Sequence, residues 1–290
     1  MNTFLLLPPT LLPGLAPLTP AHLVVGNRPL ADLQRATLAA ADLSEAAPGP
    51  ATYVIDGLAW LDEAELRAFI RSDDATLTTP EGAVLVRRVG GGGPARVAAT
   101  SFQLAHSWDL LRANEQSLKA KTDYVRAAEV HPSLSVDGRL QVGRGTRILP
   151  GVVIEGDVII GEDCKIGPHC YLRGATTIGD RCHVGQAVEI KNSVLMDGTN
   201  VGHLSYVGDS ILGRKVNFGA GTLTSNLRHD GRNHRTLVAG ELVDTGRRKF
   251  GAVVGDGVHT GIHTSIYPGR KLAAGTTTRP GDIVRTDLNA

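Results

Sequence analysis

The sequence predicts an α/β unit over residues 1–122 followed over 123–290 by an all-β, left-handed parallel β-helix. Three observations carry this. Positions 130, 136, 142, 148, 154, 160, 166, 172, 178, 184 and 190 are all aliphatic, a strict spacing of six. Four residues after each of those from Val142 to Ile190 stands a small or β-branched residue, the series Thr146, Val152, Val158, Cys164, Cys170, Thr176, Cys182, Val188, Val194. The chain also holds 35 glycines against 4% aromatic residues, so small and β-branched side chains must fill its core. A period of six fits neither a helix nor an alternating strand. It fits a short strand plus a corner, and three such units close a triangular turn of about 18 residues whose aliphatics point to the axis.

Each element follows in order. After a Pro-rich opening come an Ala/Leu-rich stretch from Pro29 to Leu43, a strand at Tyr53–Ile55, a helical stretch from Leu61 to Arg71 and a flexible turn at Gly90 to Pro94. Ser107 reads as the N-cap of a helix carrying Leu110, Leu111, Asn114 and Leu118, placed at the junction with the β-helix. Glycine and asparagine suit the corners, where a sharp change of direction calls for positive φ. The hexads slip at Met196, resume at Val201 and Val207, shorten by one to Leu212, continue to Phe218, and break from Ser225 to about Phe250, which should leave the coil as a loop. They resume at Val254, Thr260, Ile266, Leu272 and Thr278, and Pro280 with the polar tail should end the stack. Cys164, Cys170 and Cys182 all occupy the small interior position, so packing, not metal or redox chemistry, accounts for them.

Thirty basic and 29 acidic residues leave a formal charge of +1, so no bulk attraction draws the chain to nucleic acid or an anionic membrane. No window approaches the ~20 apolar residues of a spanning helix. Pro8, Pro9 and Pro13 interrupt the only N-terminal apolar run, and Arg28 is the first basic residue, so no signal peptide is read there. With sparse cysteines this predicts a cytoplasmic protein.

The blocks VEIK (188–191), GHLSYVGD (202–209) and NFGAGTLTSN (217–226) resemble the acetyltransferase domain of the bifunctional N-acetylglucosamine-1-phosphate uridyltransferase/glucosamine-1-phosphate acetyltransferase family. The following stretch, to Gly269, is similar to the archaeal-type sugar-phosphate nucleotidylyltransferases that carry an acetyltransferase β-helix. The resemblance covers Arg173 to Gly269. It implies transfer of acetyl from acetyl-coenzyme A, without a metal, to the 2-amino group of glucosamine or galactosamine 1-phosphate, at sites between the subunits of a homotrimer.

Carried over residue by residue, the resemblance makes His203 the general base, a role an imidazole suits near neutrality. Arg173 and Lys191 are 18 residues apart, one turn of the coil, and should stack as two neighbouring cations that a phosphate would relieve, the alternative being a pair neutralised by Glu189 or solvent. Tyr206 and Asn217 match sugar-contacting positions. Arg232 and Arg235 stand where the family has lysines. Asn226 matches a residue bridging sugar and acetyl donor, and Ala220, Gly221 and Gly261 fall on the donor side, with backbone N–H groups around Gly219 as oxyanion candidates. Arg247, Arg248 and Lys249 would meet coenzyme A phosphates or form intersubunit ion pairs. Departures are Leu227, where bacterial members have Tyr, and a stack ending about one coil early.

The N-terminal part offers only echoes of a nucleotidyltransferase, GNRPLADLQ (26–34) and SWDLLRANE (107–115), and lacks the GxGTR phosphate loop. It reads as a shortened relative that has lost nucleotidyl transfer. Other readings are a trimeric scaffold without a live site, and a zinc enzyme of the gamma carbonic anhydrase type using His229/His234 or His259/His263.

Overall fold

The computed structural model describes residues 2–10, 12–46 and 51–289, apart from the Glu129 side chain. The N-terminal sheet has six strands in the order Ser44–Glu45, Thr3–Leu6, Tyr53–Ile55, Val84–Arg88, Thr76–Thr78, Ala95–Val97. Helices α1 (Leu30–Ala40) and α2 (Glu63–Ile70) form where the helical stretches are expected. Leu38, Leu66 and Phe69 from these helices join Phe4, Tyr53, Ile55 and Leu77 in one buried cluster. Helix α3 spans Ser107–Ala120, and its N-cap is His106, not Ser107. The Asp109 carboxylate accepts the His106 N–H at 2.8 Å, which closes the first turn one residue earlier than a Ser107 cap would.

Beyond α3 the chain coils as a three-sided parallel β-helix. The first face stacks Arg147–Ile148, Lys165–Ile166, His183–Gln186, Asn200–His203 and Asn217–Phe218. The second carries Tyr171–Arg173, Glu189–Lys191, Tyr206–Gly208, Leu223–Thr224 and Ser265–Ile266. The third carries Thr176–Ile178, Val194–Leu195, Ile211–Leu212, Val253–Val254 and Lys271–Leu272. The axis is filled as the hexads require, with Ile148, Ile154, Ile166, Leu172, Ile190 and their equivalents buried in one cluster together with the three cysteines. Burial pushes the Cys170 thiol up to about 12, so it stays protonated and inert.

Four details differ from the sequence reading. The rung shortens not at Met196 but at the Asn192–Ser193 corner: Arg173 pairs with Lys191, 18 residues on, whereas Thr177 pairs with Val194, 17 on. Ser193 therefore takes the interior small position, and Val194 faces outward into the cluster that joins the N-terminal unit to the coil. Pro280 does not end the stack, because Val284 still pairs with Ile266 and Leu288 bridges Leu272. Corners are not reserved for glycine and asparagine: Ala187 (φ 52), Leu204 (φ 49) and Asp209 (φ 48) also adopt left-handed backbone. Stacked backbone hydrogen bonds, such as Leu204 N–H to Gln186 O at 3.0 Å and Asp209 N–H to Lys191 O at 2.8 Å, hold those corners against the strain. Last, the excursion after Ser225 is ordered around a β-hairpin, Arg235–Val238 with Glu241–Asp244, and closes where the Phe250 N–H meets the Asn226 carbonyl at 2.9 Å.

The N-terminal unit packs on the third face. Leu23, Leu30, Leu104, Trp108 and Leu111 share a buried cluster with Val194, Met196, Ile211 and Val253 of the coil, and Trp108 meets Phe250 edge-on at 6.0 Å. His22, 2% exposed, clamps the same interface. Its Nδ1 accepts the Thr19 N–H at 2.9 Å, which leaves Nε2–H to donate to Asp256 Oδ1 at 2.6 Å. His22→Ala should lower unfolding stability by about 1.5–3 kcal/mol, the range for a hydrogen bond to a charged group. Denaturant midpoints coinciding with the parent would show the clamp to be without weight.

Candidate functional site

The sequence-predicted residues gather along the second face and its two edges. Arg173 and Lys191 stand in register on adjacent rungs, with Gly208 on the next. Neither is an unpaired cation: Arg173 takes the alternative of neutralisation by Glu189, and Lys191 has a partner the sequence reading did not name. Arg173 Nε donates to Glu189 Oε1 at 2.7 Å, and both side chains are about one-third exposed. Lys191 Nζ meets Asp209 Oδ2 at 2.8 Å, with side chains 15% and 3% exposed. The first pair lies open to exchange with an incoming anion, while the second is built in.

Asp209 is the centre of this cluster. Its Oδ2 also accepts Asn226 Nδ2 at 2.6 Å, and its Oδ1 accepts Asn192 Nδ2 at 3.0 Å. Asn226 Nδ2 lies 3.0 Å from Tyr206 Oη. Burial pushes the Tyr206 phenol up, and the Asp209 and Glu189 carboxylates add to the shift, so it stays a neutral donor and acceptor. Gly208 makes the cluster possible, since a side chain there would collide with Tyr206 Oη and Asn226 Nδ2. Asn226 is fixed from behind by buried His234, whose Nε2 lies 2.9 Å from the Asn226 carbonyl.

His203 sits at the opposite edge of the second face, ending the strand Asn200–His203 just before the Leu204 corner. It is exposed, and its ring makes no hydrogen bond with the described residues. Its carbonyl accepts the Gly221 N–H at 3.1 Å, so Ala220 and Gly221 lie one rung further along the same edge. Gly261 stacks below Gly219. Asn217 is exposed on the first face between Asn200 and His259. One chain thus divides the predicted residues into an edge with His203 and the donor-side glycines and an edge with Arg173, Lys191, Tyr206 and Asn226.

Arg232 and Arg235 belong to a third group, in the excursion. They line a cavity of about 630 Å³ with Arg228, Arg248, Asn233 and Asp244. Among the described residues only Arg228 of these four arginines has a carboxylate partner, Asp230 at 2.5 Å. The cavity is therefore suited to an anion. A second cavity of about 490 Å³, lined by Leu227, Arg228, His229, Tyr267 and Pro268 among others, opens at the base of the excursion. Arg247, partly buried, has a carboxylate partner where Arg248 has none among the described residues: its Nη2 holds Glu115 Oε1 at 2.5 Å.

Sequence reasoning missed Asp209, Asn192, Glu115 and Tyr267, and singled out His229 only as a zinc ligand. Asp209 stood inside the GHLSYVGD block, and its place one rung from Lys191 was a usable signal. The described residues contain no cluster of three or more His, Cys, Asp or Glu arranged to hold a metal, and no helix long and apolar enough to cross a membrane.

Over residues 154–268 the chain matches the family model described as the GMPPB C-terminal domain. It is 48% identical over 102 residues to a bifunctional sugar-1-phosphate nucleotidylyltransferase/acetyltransferase of Sulfurisphaera tokodaii, covering 35% of this chain and 25% of the relative. It is 47% identical over 185 residues to the bifunctional protein GlmU of Methanococcus maripaludis, covering 64% of this chain and 44% of the relative. The chain therefore spans less than half the length of either curated relative. A solved polysialic acid O-acetyltransferase, OatWY, is 16% identical over 54% of this chain and 81% of its own, with a TM-score of 0.29.

Proposed function

We propose, from the relationship of this β-helix to the bifunctional sugar-1-phosphate nucleotidylyltransferase/acetyltransferases, that the chain transfers acetyl from acetyl-coenzyme A to the 2-amino group of a hexosamine 1-phosphate. The observation that carries the reading is the cluster of Lys191, Asp209, Asn226 and Tyr206 beside an Arg173 whose ion pair is open to exchange. In this reading the sugar phosphate displaces Glu189 from Arg173, and Asn226 and Tyr206 meet the sugar with Asn217. The amine nitrogen attacks the thioester carbon, a C–N bond forms, and the His203 imidazole takes the amine proton. Backbone N–H groups near Gly219 hold the oxyanion, the C–S bond breaks, and the departing thiolate takes a proton. Ala220, Gly221 and Gly261 border the donor, and Arg232 and Arg235 supply charge to the phosphates.

The two edges of the second face are completed, in this proposal, by a neighbouring copy in a homotrimer, which would bring one chain's His203 to another's cations. The N-terminal unit, without a GxGTR loop, has no nucleotidyl transfer in this scheme, and the enzyme works in the cytoplasm. Thiol release from acetyl-coenzyme A, measured with glucosamine 1-phosphate, galactosamine 1-phosphate and nucleotide sugars, tests the reaction. Release with one of the 1-phosphates, and acetylated sugar by mass spectrometry, is the expected result; silence with all of them refutes it. The second reading, a trimeric scaffold, is favoured by the closed Lys191–Asp209 pair and would be supported by that silence.

A further inference from the structure

Helix α3 lies outside the β-helix, yet it enters the cluster just described. Asn114 locks the helix to the coil, donating from Nδ2 to the Ala175 carbonyl at 3.1 Å and accepting the Gly26 N–H at 3.0 Å. The next residue, Glu115, therefore has a fixed place at the Asn192 corner. Its Oε1 accepts Asn192 Nδ2 at 2.8 Å and Arg247 Nη2 at 2.5 Å, and its Oε2 lies 3.5 Å from Arg247 Nη1. Asn192 Nδ2 is shared with Asp209 Oδ1, whose other oxygen holds Lys191 and Asn226. The path joins two ion pairs, Arg247 with Glu115 and Lys191 with Asp209, whose carboxylates meet at Asn192, the one joint between them among the described residues. Asn192 has φ 47 at the corner where the rung loses a residue, and its N–H bonds the Arg173 carbonyl at 2.9 Å, so the corner is held by backbone while the side-chain amide is held by the two carboxylates. The Arg247 Nε is buried without a partner, which makes Glu115 the sole acceptor for that guanidinium among the described residues.

We propose that Glu115 is a positioning residue for the acceptor site: by holding Asn192 and Arg247 it fixes Asp209 and, through Asp209, the Lys191 ammonium. The N-terminal unit is thereby part of the sugar-phosphate site. This rests on the proposed acetyl transfer, and its test has a readout independent of turnover. Lysine acetylation by a water-soluble acyl ester, mapped by mass spectrometry, reports how firmly each ammonium is held. In Glu115→Ala the Lys191 rate should rise at least fivefold, while buried Lys271, which donates to the Leu237 carbonyl at 2.8 Å, keeps its rate. Glu115→Gln, which restores an acceptor for Asn192 but no charge for Arg247, should fall between. In the turnover assay Glu115→Ala should raise KM for the sugar phosphate at least fivefold, with kcat and KM for acetyl-coenzyme A within twofold. An unchanged Lys191 rate overturns the proposal, as does a Lys271 rate rising in step, which would mean general loosening. A raised Lys191 rate with unchanged acceptor KM overturns it too. A parent that acetylates no sugar phosphate refutes the reaction, and the labelling then decides the Glu115–Lys191 coupling alone.

Discussion

Replacing His203 by alanine should lower kcat for acetyl transfer about 10²–10⁴-fold, the usual contribution of a positioned general base. That corresponds to about 2.7–5.5 kcal/mol of activation free energy. The fold should be untouched, because His203 is exposed, its ring makes no hydrogen bond with the described residues, and only its backbone carbonyl serves the coil through Gly221. Two measurements separate base from bystander. KM for either substrate should move little, since a base that acts in the transition state contributes little to ground-state binding. Added imidazole should return part of the rate in the alanine variant, by filling the space with a diffusible base. A variant that keeps the parent kcat would remove His203 from the reaction, and with it the only base proposed at that edge.

How much of this was readable in the sequence depended on what covered each face. The hexads were legible because each one buries one aliphatic at the axis and turns its neighbours outward, so the pattern repeats through Ile166, Leu172, Ile178, Val184 and Ile190. The slip was misplaced for the same reason inverted. On the third face Val194 and Met196 point out of the coil but are buried under the N-terminal unit, while Leu195 points in. With both sides of the strand apolar the alternation vanishes, and a one-residue loss at Asn192–Ser193 leaves no mark in the hydropathy. Pro280 misled because proline suits a corner as well as a terminus; the chain turns there and lays Val284 over Ile266.

The site was legible where its partners are one rung apart. Arg173 and Lys191 could be paired by counting 18, and the register bears that count out. Glu115 could not be found this way, being 77 residues from Asn192 and 132 from Arg247 in the chain. Those contacts depend on how α3 packs and where the excursion returns, and neither has a period. Of the two carboxylates, Glu189 is adjacent to Ile190 and Lys191 in the sequence and was readable as a partner, whereas Asp209 was missed although the same counting places it one turn beyond Lys191.

Asp209→Ala should be the most damaging single substitution to stability in this region, costing about 3–5 kcal/mol. The size follows from the geometry. Lys191 is 15% exposed and loses its only carboxylate partner among the described residues, and removing one member of a buried pair leaves the other charge uncompensated. The amides of Asn192 and Asn226 lose an acceptor at the same time. Backbone adds to this, since position 209 holds φ 48, which aspartate tolerates better than alanine. Asp209→Asn keeps that tolerance and one acceptor oxygen, so it should cost about half as much. Scanning calorimetry at fixed protein concentration should place Asp209→Ala on the order of 10 °C below the parent. The decisive arm is Lys191→Met combined with Asp209→Ala. Deleting both charges removes the unpaired ammonium, so the double variant should melt above Asp209→Ala alone. Were it to melt lower, the two losses would be adding as independent packing defects, and Asp209 would be filling space at the corner without organising the cations around it.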